Sequence, residues 1–247
     1  MTEFWMNTMI KTLAGICLVL FTAQAYADGG VSFSRNRMIF PASEKSISIT
    51  VNNHSDNTYL VQAGVSLDSD KKTPAPFMVT PPLFRLEKSD SNVMRIMRVG
   101  GDMPPDRESV FYFFASTIPS QSVPTMVPGK DGTTGARVTI AMKTVLKLFW
   151  RPEGLSMSPA SALSKLGFVN EPGGVVVKNP TPYYQSFAAL TFDGKAQDID
   201  RQPSMVSPFS ELRFTTPQPV RQVSWAVMND YGGATEMKTQ ATENQKK

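Results

Sequence analysis

Residues 135–152, G-A-R-V-T-I-A-M-K-T-V-L-K-L-F-W-R-P, alternate apolar and polar side chains over a longer span than an ordinary strand occupies. Val138, Ile140 and Met142 fall on one side of the pattern, and Arg137, Thr139 and Lys143 on the other. That is the period of two a pleated strand imposes. At roughly 3.3 Å per residue, positions 135 to 150 would span about 50 Å, against a usual strand of about five or six residues. The pattern predicts a strand that runs along a sheet edge, where main-chain groups are free to accept a partner.

Shorter runs of the same kind recur between turn-forming residues, and no segment offers a sustained helical period with caps. The predicted class is therefore all-β. Ser46-Ile47-Ser48-Ile49-Thr50-Val51 alternates and stops at Asn52-Asn53, a turn-forming pair. Residues 59–67 set Val61, Ala63, Val65 and Leu67 on one face, and 93–99 and 110–115 read as further strands. Pro74, Pro76, Pro81 and Pro82 break one connection, and 120–135 is a loop rich in proline, glycine and serine. After Arg151-Pro152-Glu153-Gly154 the strands shorten, at 174–178, 187–192, 211–215 and 222–227. That tetrapeptide is the predicted boundary between a first domain at 28–150 and a smaller second one at 155–240. Seven or so strands in about 120 residues, with turns every 8 to 12, form the pattern of an immunoglobulin-like sandwich. The tail at 234–247 is polar and charged, with little to bury, and is expected to be mobile.

Residues 1–27 read as an export leader: Lys11 precedes the apolar run 13–21, and Ala25-Tyr26-Ala27 offers the small residues a signal peptidase selects. Cleavage is expected before Asp28. The apolar core is about ten residues, half of the ~20 a membrane-spanning helix needs. Cys17 is the only cysteine and lies inside the leader. The exported chain therefore has no internal disulfide, and its stability must come from packing. The net charge of +4 is carried by scattered basic residues with no run interleaved with aromatics, which argues against a nucleic-acid partner.

Catalytic chemistry finds little support. His54, the sole histidine, sits in the turn Asn52-Asn53-His54-Ser55, so no histidine-based triad or histidine-rich metal site is available. Gly129-Lys130-Asp131-Gly132-Thr133-Thr134-Gly135 has the flavour of a phosphate loop but lacks its spacing and its following helix. Asp68-Ser69-Asp70 and Asp198-Ile199-Asp200 lack the continuation of a calcium loop and read as turns. No enzyme, cofactor, nucleotide or metal is expected.

Six segments, in order along the chain, resemble the PapD-like periplasmic chaperones of the chaperone-usher pathway. They are Ser34-Arg35-Asn36-Arg37, Thr80-Pro81-Pro82-Leu83-Phe84-Arg85-Leu86, Asp106-Arg107-Glu108-Ser109-Val110-Phe111-Tyr112-Phe113, Lys147-Leu148-Phe149-Trp150-Arg151-Pro152, Asn179-Pro180-Thr181-Pro182-Tyr183-Tyr184 and Asn229-Asp230-Tyr231-Gly232-Gly233. The resemblance implies two immunoglobulin-like sandwich domains in an L- or boomerang-shaped arrangement, working in the periplasm without nucleotide. It also implies a function: holding fimbrial subunits that lack their last strand and passing them to an outer-membrane usher.

By the same resemblance, Val138, Ile140 and Met142 are the side chains lent to the subunit's groove, each worth roughly 1.5 to 3 kcal/mol when fully buried. Arg37 and Lys147 hold the subunit's terminal carboxylate, the arginine as a planar fork and the lysine as a point charge. Glu108, Arg151 and Asp230 form an ionic link between the domains. An exposed edge strand can also cap itself against a second copy. Strict alternation puts Lys147 on the opposite face from Met142, unless a bulge near Thr144 resets it. The long segment 120–147 without a cysteine pair leaves the short-loop and long-loop subclasses both open. One other reading stays open, an exported immunoglobulin-like binding module of adhesin or receptor type, which has no need for Arg37 and Lys147 to converge; a pilus subunit would need a donor segment at its mature N-terminus, and Asp28-Gly29-Gly30 is too short for one.

Overall fold

The computed structural model describes residues 30–70, 73–120 and 140–244. Nine strands build a first sandwich: β1 (Val31–Phe33), β2 (Arg37–Pro41), β3 (Ser46–Asn53), β4 (Tyr59–Ser66), β5 (Phe77–Thr80), β6 (Leu83–Leu86), β7 (Ser91–Arg98), β8 (Ser109–Pro119) and β9 (Met142–Arg151). One sheet runs β1-β3-β7-β5 and the other β2-β9-β8-β4-β6. The period of two decides what faces inward. Ile49, Val51, Met94 and Ile96 from the first sheet meet Val61, Ala63, Val65, Phe111, Phe113, Leu148 and Trp150 from the second in one core. Leu67 is the exception to the predicted face: β4 ends at Ser66 and Leu67 is exposed. Strands β5 and β6 were hidden in the sequence by the prolines beside them. They are only four residues each, too short for a period to declare itself.

A short helix, α1 (Pro159–Ala162), capped by Ser158 through its side chain, leads into the second sandwich. Its strands are β10 (Gly167–Glu171), β11 (Gly174–Asn179), β12 (Gln185–Phe192), β13 (Lys195–Ala196), β14 (Met205–Val206), β15 (Ser210–Thr215), β16 (Gln222–Val227), β17 (Lys238–Ala241) and β18 (Glu243–Asn244). One sheet runs β15-β11-β10-β18, the other β13-β12-β16-β17 with β14 also on β12. Phe168, Val175, Val177, Phe187, Leu190, Phe214, Val223 and Trp225 fill a core of their own.

The expectation of a mobile tail from residue 234 is corrected here. β17 lies antiparallel on β16, and β18 crosses to the other sheet and lies parallel on β10. Thr242 between them bonds the Val220 carbonyl, and Asn170 Nδ2 donates to Thr242 Oγ1 at 2.8 Å. Ladder hydrogen bonds come from the main chain. A segment with nothing apolar to bury can therefore still be held, which its composition conceals.

The long strand is also only partly as predicted. Val138 and residues 135–139 lie outside the described residues, and the regular ladder begins at Met142, with Ile140 and Ala141 preceding it. β8 pairs along the whole of β9, from Thr117↔Met142 to Ser109↔Trp150, without a break in register. No bulge resets the face at Thr144. On the other side, β2 covers β9 only from Arg37↔Lys147 to Pro41↔Arg151, in parallel. Among the described residues nothing but β8 pairs with the half from Met142 to Leu146, which is a free edge, while the half from Lys147 to Arg151 is interior.

Candidate functional site

Unbroken alternation sorts β9 into two faces. Leu146, Leu148 and Trp150 turn into the first core, so Lys147, Phe149 and Arg151 turn outward, and there the second sandwich packs against them. Tyr184 meets Phe149 with ring centroids 5.5 Å apart. Glu108 N donates to the Pro182 carbonyl at 2.9 Å. Asn36 Nδ2 donates to the Gly232 carbonyl at 3.1 Å.

Arg37 is drawn into this seam from β2. Its guanidinium carbon stands 4.0 Å from the Phe149 ring centroid, a desolvated cation–π contact, and Nη1 donates to Ser186 Oγ at 3.3 Å. Only 6% of the residue is exposed, and Nε is buried with no hydrogen-bond partner among the described residues. Lys147 is its direct partner on the ladder. Burial lowers the pKa of both cations below their ordinary values, and the charge of Arg37 lowers Lys147 further.

The nearest carboxylates, Glu108 and Asp230, offset part of this effect on Arg37 through space, but their hydrogen bonds go to a third cation. Arg151 Nε donates to Glu108 Oε1 at 2.8 Å, and Nη1 and Nη2 reach the two oxygens of Asp230 at 2.7 Å each. The other Glu108 oxygen accepts from Tyr184 N at 2.8 Å. Burial pushes the Glu108 carboxyl up, against the pull of Arg151. Burial also acts on Asp230, but there the paired hydrogen bonds to Arg151 outweigh it and hold the carboxyl below its usual range. Burial would likewise lower Arg151, yet its two carboxylates raise it on balance. Three cations thus share two carboxylates, which leaves one net positive charge, and among the described residues neither Arg37 nor Lys147 has a carboxylate in hydrogen-bond contact. Chemically, the arrangement is ready for a carboxylate.

Of the three side chains expected to enter a subunit's groove, the two within the described residues lie apart from the core. Ile140 is 72% and Met142 67% exposed, at and just before the start of the free edge. Phe149 and Ser186, which seat Arg37, and Tyr184, which packs on Phe149, were not singled out from the sequence. Phe149 and Tyr184 stand inside quoted motifs, but nothing local marks Ser186. The acidic turn reading holds for Asp198, whose Oδ1 accepts from Asp200 N and Arg201 N. His54 Nε2 lies 2.9 Å from Ser32 Oγ on an exposed surface.

Two sandwiches, a half-covered edge strand and a cleft that brings Arg37 and Lys147 together are the arrangement the resemblance to PapD-like pilus-assembly chaperones implied, and comparison with known proteins shows that class. Residues 30–156 match the family described as pili and flagellar-assembly chaperone, PapD N-terminal domain, and 161–239 match the PapD C-terminal domain. The chain belongs to this family of fimbrial chaperones.

Among curated relatives it is 35% identical to the probable fimbrial chaperone protein ElfD of Escherichia coli K12, over 91% of this chain and 92% of that one. It is 36% identical to the chaperone protein HifB of Haemophilus influenzae, over 83% and 86%. Among solved structures it superposes with TM-score 0.75 and 30% identity on the complex of Salmonella enterica SafA pilin with the SafB chaperone, covering 86% of this chain and 96% of that one. The E. coli chaperone DraB gives TM-score 0.74 at 30% identity, covering 87% and 97%.

Proposed function

We propose that this chain captures unfinished pilus subunits in the periplasm by adding its own strand to their fold, holds their terminal carboxylate on Arg37 and Lys147, and delivers them to an outer-membrane usher. Donor-strand complementation between chaperone and pilin is an established form of strand addition. The observation that carries its assignment here is the position of the cation pair. Lys147 stands where β2 stops covering β9. A client strand laid along the free edge from Met142 to Leu146, parallel to β9 as β2 is, would bring its carboxyl end to that point. Its main chain would complete the ladder, while Ile140 and Met142, with Val138 ahead of them, would enter the client's open groove. The ionic cluster of Glu108, Arg151 and Asp230 would hold the two sandwiches at the angle the cleft requires, in keeping with the role of buried ion pairs in specifying a geometry. The SafA–SafB complex, a chaperone with its pilin, supports the same class of partner.

Co-expression with a pilus subunit tests the reading. The native subunit should co-purify with the chaperone from periplasmic extracts. The same subunit extended by a few glycines, so that its carboxylate no longer ends at the cleft, should be lost. Equal recovery of the extended subunit would refute the anchor.

A further inference from the structure

Beside the cation pair, on its second-sandwich side, lies a cavity of about 300 Å³. Arg37 forms one wall, and Pro159, Ala160, Leu163, Met228 and Tyr231 are among the residues around the remainder, with Ser158, Gln185 and Asn229 as polar members of the lining. Binding sites for whole small molecules run from roughly 300 to 1,000 Å³, so this one has room for a single large side chain. Its charged neighbours Arg151 and Asp230 are joined at 2.7 Å. Most of the remaining surface is apolar and aromatic, with Arg37 the cation not hydrogen-bonded to a carboxylate among the described residues.

We infer that this cavity receives the side chain of the client's last residue, and that it selects an apolar or aromatic one. The inference rests on the anchor proposed above and deepens it. Two observations point the same way. Arg37 is shared between the anion site and the cavity wall, with a buried Nε that has no partner among the described residues. A carboxylate that meets that guanidinium from the second-sandwich side would have its own α-carbon, and hence its side chain, at the mouth of the cavity.

Tyr231 is the second observation. It is 95% exposed, yet its loop is fixed. Tyr231 N and Gly233 N both donate to Asn229 Oδ1 at 3.0 Å, Gly232 N donates to the Asn229 carbonyl at 3.0 Å, and Asp230 is gripped by Arg151. Gly232 has φ near +80° and lies so close to Asn36 that a Cβ would collide with it. A rigid backbone that presents a bare aromatic ring at a cleft mouth is pre-organised for contact, and pre-organisation lowers the cost of ordering on binding.

The test uses the full chain and synthetic peptides of alternating apolar sequence that differ only in the last residue: Phe, Ala or Asp, each with a free carboxylate, and Phe also as the carboxamide. Titration should show the Phe acid bound about tenfold more tightly than the Ala acid, the scale of burying one aromatic side chain, with the Asp acid weakest. Ala160→Phe, at an exposed helix position, fills the cavity from outside the core and should remove the Phe preference. Tyr231→Ala should shrink it to about twofold. Equal binding of the Phe and Ala acids, with the carboxamide much weaker, overturns the cavity reading and leaves the anchor standing. Equal binding of acid and carboxamide, or binding of no peptide, overturns the anchor and this reading with it.

Discussion

Arg37 and Lys147 are cross-strand partners on a parallel ladder, two cations side by side in a seam whose two carboxylates are hydrogen-bonded to a third cation, Arg151, so that three positive charges share two negative ones. Like charges placed opposite each other destabilise a sheet, and burial lowers the pKa of both. The free chain therefore holds an unfavourable charge arrangement that a carboxylate relieves, so binding and stability should respond to substitution in opposite directions.

Lys147→Met is expected to leave the melting temperature unchanged or raised while subunit capture weakens roughly ten- to a hundredfold, the scale of one charge-assisted hydrogen bond. Arg37→Ala should fold and lose capture to a similar degree. Thermal unfolding alongside pull-down of a co-expressed subunit checks both. Loss of fold in step with loss of capture would show that the pair is structural.

Ile140→Asp and Met142→Asp change exposed positions, so stability should move by less than about 0.5 kcal/mol. Capture should fall sharply, because a charge would have to enter an apolar groove. Denaturant midpoints unchanged beside a failed pull-down is the expected pair of results.

Arg151→Met strands Glu108, whose side chain is fully buried, and should destabilise the chain by about 3–5 kcal/mol, the cost of breaking one side of a buried pair. Adding Glu108→Gln should recover much of this. The neutral amide needs no counterion, and its oxygen still accepts from Tyr184 N. If the double variant is no more stable than Arg151→Met, the charge argument fails.

Capture should have an alkaline limb. Burial and Arg37 hold Lys147 below the ordinary value of 10.5, and a bound carboxylate favours its charged form. Affinity is full below the depressed pKa and falls as pH rises through it, earlier than an ordinary lysine would impose. The stability of the free chain has the opposite sign: between that depressed pKa and 10.5 the unfolded chain binds the extra proton, so stability rises with pH. Lys147→Arg should move the affinity limb upward. A flat pH profile for the parent would count against Lys147 as a ligand.

A chain ending at Met237 loses β17 and β18 and uncovers the edges of β16 and β10. Exposed edges template association, so the truncated protein should melt lower and self-associate, as read by scanning calorimetry and light scattering. A monomer of unchanged melting temperature would show that the tail is dispensable.

What could be read from residues alone was what is local. The alternation of 46–51 and of 142–150 states which side chains share a face, and Ile49, Leu148 and Trp150 fall where that period puts them. The motifs around Arg37, Lys147, Arg151 and Asp230 named the charges of the cleft. β5, β6 and the tail strands were not legible, because four residues beside prolines, or a polar segment held only by main-chain bonds, leave no period to detect.

By itself, then, the sequence determined the β class, the two-part division and the identity of the cations. Only the tertiary structure decided that β2 covers half of β9 and leaves half open, that Lys147 points away from Met142 without a bulge, and that Arg151 takes both carboxylates. The physical reason is range: a side chain's face follows from its neighbours in sequence, whereas edge coverage and charge pairing depend on strands brought together from far apart in the chain, such as the 79 positions between Arg151 and Asp230.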